Sequence, residues 1–307
     1  MCWPYVALIA AAGLLPLGVN GQGQGPPVFS ADSELVVLHV TVKDRRGVHV
    51  SDLPREAFSV VEDGRPQTVS LFTDTDTPVT VGLLIDGSAS MHPSRRVVIA
   101  GATAFAEVSH PGDEIFALAF NEHVYPALSP AAPFTSDSTV LHAALERSIA
   151  ARGRTALYDA ISAGVDYLSR GSRERKVLVV LSDGGDNASR ATREDAVRKA
   201  QKSNAVIHTI ALVAPGARDA NPKLLEDLAQ ASGGHSFRPD AAREIAEALG
   251  QIAGEIRHTY TVGYTSTNTA RDGAFRRVRV VVTAPPGRPL VVRTRAGYVA
   301  GTAKVDP

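Results

Sequence analysis

VTVGLLIDGSASM, residues 79–91, decides the fold. Six of its first eight residues are apolar or glycine. The run then ends in an aspartate, followed by a glycine and two serines at alternate positions. A near-continuous apolar stretch of this length, closed by turn residues, is what a central parallel strand covered on both faces requires. Three further runs read the same way: DEIFALAF (113–120), KVLVVLSD (176–183) and AVIHTIALV (205–213).

Helix patterns separate these runs. Residues 94–108 follow Pro93, a residue tolerated in the first turn of a helix. Val140, Leu141, Ala144, Leu145, Ser148 and Ile149 share one helical face. Residues 155–168 form a third helix, and Thr192 with Asp195 reads as a capping box before AVRKAQK. Residues 222–232, stopped by Gly233-Gly234, and 240–256 complete the set. Residues 123–125 add a short antiparallel edge strand after Phe120. Strands and helices alternating in this order predict a doubly wound α/β domain, mostly parallel, with helices on both faces, over residues 79–257.

The flanks are β-rich. LVVLHVTV (35–42) reads as a strand, and FSVVEDGRPQTVSLF (58–72) as two strands joined around Asp63-Gly64, a pair favoured in tight hairpins. Residues 258–264, 275–282 and 290–293 are strand-like too, and in RRVRVVV (276–282) arginines alternate with valines. Neither end has enough strands to be stable alone. The economical expectation is one small β-sandwich built from residues 30–78 and 258–299, with the α/β domain inserted between them. Separate β units at each end are the alternative, and residues 300–307 read as a tail.

Lysines plus arginines number 32 and acidic residues 32, with no basic run, which argues against nucleic acid as a partner. Residues 6–19, VALIAAAGLLPLGV, are apolar and too short for an ordinary membrane span, and a polar glycine-rich stretch follows. This reads as an export signal with linker over residues 1–25, although no Lys or Arg precedes it. The expected location is periplasmic, cell-surface or secreted, with membrane contact only if the segment is retained. Cleavage near residues 19–25 removes Cys2, the sole cysteine, and with it any disulfide or thiol chemistry.

Asp86 and Asp183 each close a central strand, and open α/β sheets place ligands beyond those strand ends. Ser88, Ser90 and Thr155 bring three hydroxyls to the same end. Each residue alone has a plainer reading as a helix cap or turn former. Together, five oxygen-bearing side chains without Cys or a spaced His pair suit a hard cation. Few carboxylates and many hydroxyls favour Mg²⁺ over Ca²⁺, and Mn²⁺ suits the same shell. Asp186 reads equally as a second acceptor behind the ion or as an exposed turn residue.

Asp86-Gly87-Ser88-Ala89-Ser90 resembles the Asp-x-Ser-x-Ser signature of the von Willebrand factor A domain's metal-ion-dependent adhesion site. Thr155 in GRTALYDA and Asp183 in LSDGGDN match the family's separate threonine and aspartate positions. The resemblance implies one Mg²⁺ held by Asp86, Ser88, Ser90, Thr155 and Asp183. It also implies adhesion to a protein or peptide whose Asp or Glu completes the coordination, with polysaccharide as an alternative ligand. With both flanks included, residues 34–299 resemble exported proteins of this family found in Acidobacteria and similar soil bacteria. A structural envelope protein braced by its metal, and a Mg²⁺-dependent hydrolase, are the competing readings; a dedicated nucleophile or general base for the latter is missing. No phosphate-binding glycine loop, zinc helix or nucleophile elbow occurs. His208 reads as a strand histidine rather than a ligand, and His235 as a strand-end residue with no evident partner.

Overall fold

In chain order the strands are β1 (Leu35–Asp44), β2 (Phe58–Glu62), β3 (Arg65–Gln67), β4 (Val69–Thr73), β5 (Thr80–Asp86), β6 (Glu114–Phe120) and β7 (Val124–Pro126). They continue as β8 (Lys176–Ser182), β9 (Val206–Ala211), β10 (Ser236–Phe237), β11 (Thr259–Thr265), β12 (Phe275–Val282), β13 (Leu290–Arg293) and β14 (Gly297–Val299). The helices are α1 (Arg95–Glu107), α2 (Ser138–Ser148), α3 (Leu157–Leu168), α4 (Arg193–Lys202), α5 (Pro222–Ser232) and α6 (Ala242–Arg257). The computed structural model describes Met1 and residues 35–214, 216–217, 219–283 and 289–302. The expected export segment at 1–25 therefore lies outside the described residues. Among those described, no helix is long and apolar enough to cross a membrane.

Every side chain of β5 is buried, because the strand sits in the middle of a six-stranded sheet of order β10-β9-β8-β5-β6-β7. Only β7 runs antiparallel, against β6. Side chains alternate across the sheet, so Val81, Leu83 and Ile85 face α1 and α6, while Leu84 faces α3 with Phe116 and Leu178. Each fully buried Leu or Phe contributes about 1.5–3 kcal/mol, which is why both faces need helices. Thr192 and Asp195 make the reciprocal capping box that starts α4, and Gly233 ends α5 in the left-handed conformation (φ 83°). The α/β architecture matches the sequence expectation. The first helix differs in detail, since a 3₁₀ turn over Ala89–Ser94 carries Pro93 and α1 begins at Arg95.

The two ends of the chain meet in two four-stranded antiparallel sheets, β13-β1-β11-β4 and β14-β12-β2-β3. Residues 35–42 and 275–282 fall in different sheets, yet each sheet mixes strands from both ends: β1 pairs with β11, and β2 with β12. Val36, Leu38, Val40, Val60, Val262, Val278 and Val280 share one core between the sheets. Asp63 (φ 45°) and Gly64 (φ 82°) form the expected tight turn, but the chain after it divides. Residues 65–67 stay with β2, and residues 69–73 cross to the other sheet as β4. Inside this core Glu62, 2% exposed, accepts the hydroxyls of Tyr264 (2.7 Å), Tyr298 (3.0 Å) and Ser266 (2.6 Å).

Candidate functional site

β5 and β8 are parallel neighbours, in register from Thr80 and Lys176 to Ile85 and Leu181. Whatever follows their last pair is delivered to the same end of the sheet. Asp86 is the last residue of β5, and Asp183 directly follows β8. Asp86 is 1% exposed and both its oxygens are engaged: Ser182 Oγ donates to Oδ2 at 2.6 Å and the Ser88 N–H donates to Oδ1 at 2.9 Å. Burial pushes its carboxyl up to about 6, against the lowering effect of those hydrogen bonds, and the nearby charge of Asp183 adds to the rise. Asp183 Oδ1 accepts the Gly185 N–H at 2.9 Å. Gly184 permits this turn, with φ 83° and the Asn221 carbonyl where a β-carbon would stand.

Three loops are stitched together around these carboxylates. The Gly87 N–H reaches the Phe120 carbonyl (2.7 Å), and the Gly87 carbonyl takes the Arg152 N–H (2.9 Å). The Ala89 N–H donates to Gly153 (3.1 Å), and the Thr155 carbonyl accepts both Asn187 and Ala188 (2.9 Å each). The hydroxyls are not caps. Ser88 precedes the 3₁₀ turn without a side-chain cap, and Ala156, not Thr155, occupies the capping position of α3. Ser88 Oγ and Ser90 Oγ lie 3.2 Å apart, and among the described residues the Thr155 hydroxyl has no hydrogen-bond partner. Asp186 acts locally. It accepts from the Tyr158 N–H (3.1 Å) and Ser189 Oγ (2.5 Å), fastening the first turn of α3 to the loop after β8.

The expectation of an intact metal-ion-dependent adhesion site is corrected here. Among the described residues no group of three or more His, Cys, Asp or Glu side chains is placed to hold a metal ion. Asp86 and Asp183 supply two carboxylates and no third joins them. Both oxygens of Asp86 and one of Asp183 are already turned onto internal donors. The expected Mg²⁺, with Mn²⁺ or Ca²⁺ as substitutes, is withdrawn. With it go adhesion through a partner's acidic group on the ion, the metal-braced envelope protein and the Mg²⁺-dependent hydrolase. Asp186 likewise stands behind no ion.

One polar centre escaped the sequence reading. Glu255 of α6, 2% exposed, accepts Lys43 Nζ of β1 at 2.5 Å and lies 3.1 Å from His235 Nδ1 and 3.6 Å from His208 Nδ1. Burial alone would raise this carboxyl, but the His235 hydrogen bond and the charge of Lys43 bring it well below the usual range. Burial depresses His208 to about 4, and its Nδ1 accepts the His235 N–H at 3.2 Å. His208 is therefore neutral near pH 7, and its contact with Glu255 is not an ion pair. A cavity of about 20 Å³ adjoins, lined by His39, Arg175, His208 and Glu255, with room for a water molecule. Lys43 and Glu255 are 212 positions apart, so no local pattern points to them.

Residues 81–252 match the von Willebrand factor type A domain. No curated protein matches the sequence significantly. Among solved structures, a von Willebrand factor type A protein from Catenulispora acidiphila is similar at TM-score 0.51 and 14% identity, covering 91% of this chain and 76% of that one. Proximal thread matrix protein 1 from the mussel byssus gives 0.52 and 12%, over 64% of this chain and 51% of that one. The vWF domain of the type V pili tip protein Mfa5 from Porphyromonas gingivalis gives 0.50 and 15%, over 59% and 96%. At these identities the likeness is one of fold. The match over residues 81–252 takes in more than half of the sequence, and on it the chain belongs to the von Willebrand factor type A domain family.

Proposed function

We propose that this is a non-catalytic binding module that takes a protein partner at the carboxyl end of its central sheet, through Asp86, Ser88, Ser90, Thr155 and Asp183. The observation that carries this reading is an unbalanced charge. Neither Asp86 nor Asp183 forms an ion pair among the described residues, yet the charge of Asp183 is felt at Asp86, and the hydroxyls of Ser88, Ser90 and Thr155 on the surrounding loops are free of capping duty. A lysine or arginine side chain of the partner supplies the missing charge and donors. Ser90, exposed at the rim, meets it first. A binding role is favoured over a catalytic one because the serine hydroxyls contact each other and no histidine, lysine or cysteine among the described residues hydrogen-bonds to them as a base. We further propose export, on the strength of the apolar residues 6–19.

The test is capture of partners from the native host's envelope fraction on immobilised full-length protein in the presence of a chelator. Capture by wild type, lost in Asp183→Asn and lost after acetylation of lysines in the extract, is the expected result. Capture that vanishes with the chelator, or survives both treatments, overturns the reading.

A further inference from the structure

A groove of about 570 Å³ runs between α5 and the sandwich, beside His235 of the Glu255 centre. Arg279, Arg293, Arg295 and His235 line it, with Glu226 and Gln230 on the α5 wall. Its charge is lopsided in a chain whose lysines and arginines equal its acidic residues in number. Glu226, the one carboxylate of the lining, is engaged by Lys223 at 3.2 Å. The side chains of Arg279 and Arg293 form no hydrogen bond or ion pair among the described residues. Arg295 is held in place by Asn204 Oδ1 at 2.9 Å and lies 5.4 Å from the centre of the Tyr298 ring.

The backbone adds a second, independent feature. Among the described residues β13 is the end strand of its sheet and is hydrogen-bonded to β1 alone, which leaves its other edge without a strand partner, and Val292 and Arg293 border the groove. An exposed edge is a template for another strand. We propose that this groove binds an extended acidic peptide of a partner protein, which adds to the β13 edge and sets carboxylates against Arg279 and Arg293. Guanidinium groups grip carboxylates bidentately. A strand repeats its side chains on one face every second residue, so the ligand carries Asp or Glu at alternate positions. The four residues of β13 fix the ladder at about 13 Å, or four residues of peptide. An anionic polysaccharide satisfies the charges but cannot continue the ladder, which is why a peptide is favoured.

The experiment is fluorescence anisotropy with full-length protein and three probes: a peptide of alternating Glu and Val, the same peptide with proline at two central valines, and polyglucuronate. The alternating peptide is expected to bind and to weaken with salt. Affinity should fall about tenfold or more in the Arg279→Glu, Arg293→Glu double variant. Arg277→Glu, exposed on β12 but outside the groove, should leave it unchanged. The proline peptide should bind at least about tenfold less tightly, because it keeps the charges and loses the ladder. Hydrogen exchange on wild-type protein, which needs no variant, should show protection of residues 290–293 on adding the alternating peptide. Equal binding of the proline peptide or of polyglucuronate, binding indifferent to the double variant, absent protection at 290–293, or no binding at all each overturns the proposal.

Discussion

Ser182 and Asp86, the last residues of neighbouring parallel strands, are joined by a 2.6 Å hydrogen bond from hydroxyl to carboxylate beneath the exposed loops of the site. The bond spans β8 and β5, 96 positions apart in sequence, and it fixes one carboxylate oxygen from below. Ser182, fully buried, therefore positions Asp86 from within the fold.

Replacing Ser182 by Ala should lower stability by about 1–2 kcal/mol, because it strands a buried acceptor. Asp86→Asn should act the other way at neutral pH. The folded-state pKa, about 6, lies above the ordinary 3.8, so the folded protein holds its proton longer and stability falls as pH rises through that interval. Removing the charge should recover stability on the order of 2–3 kcal/mol at pH 7 and nothing below pH ~4. Urea denaturation of both variants at pH 4 and pH 7 checks the sign. A destabilised Asp86→Asn at pH 7 would show that the charge is compensated after all.

His208 should give the opposite slope. Its folded pKa of about 4 lies below the ordinary 6.5, so the unfolded chain takes up a proton first as pH falls. Stability is full above 6.5 and declines between there and about 4, by on the order of 1 kcal/mol per pH unit. His208→Asn keeps an acceptor for the His235 N–H and has no proton to gain. Thermal melts from pH 7 to pH 4.5 should therefore be flatter for the variant than for wild type.

In the sandwich, Glu62→Ala should cost about 3 kcal/mol by leaving the hydroxyls of Tyr264, Tyr298 and Ser266 without their acceptor. Tyr264→Phe removes a single bond and should cost about 1–2 kcal/mol. Chemical denaturation followed by tyrosine fluorescence separates the two. Equal losses would mean that the three donors find substitutes.

Export makes a simple prediction. Mature protein isolated from the native host should begin near residues 19–25 and contain no cysteine, as read by intact-mass spectrometry. An intact Met1 in soluble cytoplasmic material would contradict it.

The α/β architecture was legible because its signals are local. Four apolar runs, the Thr192 and Asp195 box, Gly233 and the Asp63-Gly64 turn each dictate conformation within a few residues. The sequence also placed Asp86 and Asp183 at the ends of strands that prove to be neighbours. It could not show where their oxygens point. Residue types and spacing suggested a metal shell, whereas Ser182 and the amides of Ser88 and Gly185 take up the carboxylates in the folded chain. Glu255 was illegible for a related reason, since its partners come from β1, β9 and the turn before β10. The crossing of β4 to the second sheet rests on its pairing with β11, a strand from the far end of the chain, which no nearest-neighbour pattern records.

The interleaving of the two ends in the sandwich has a mechanical consequence. The α/β domain leaves β4 and returns in β11, and these strands are antiparallel neighbours in one sheet. A pull applied on Leu35 and Val299 enters through β1 and β14 and must first shear β1 from β11 and β13, or peel β14 from β12. The central sheet stands outside that load path until the sandwich gives way. The flanking strands thus act as a clamp that carries tension along the chain around the inserted α/β domain while the clamp stays shut.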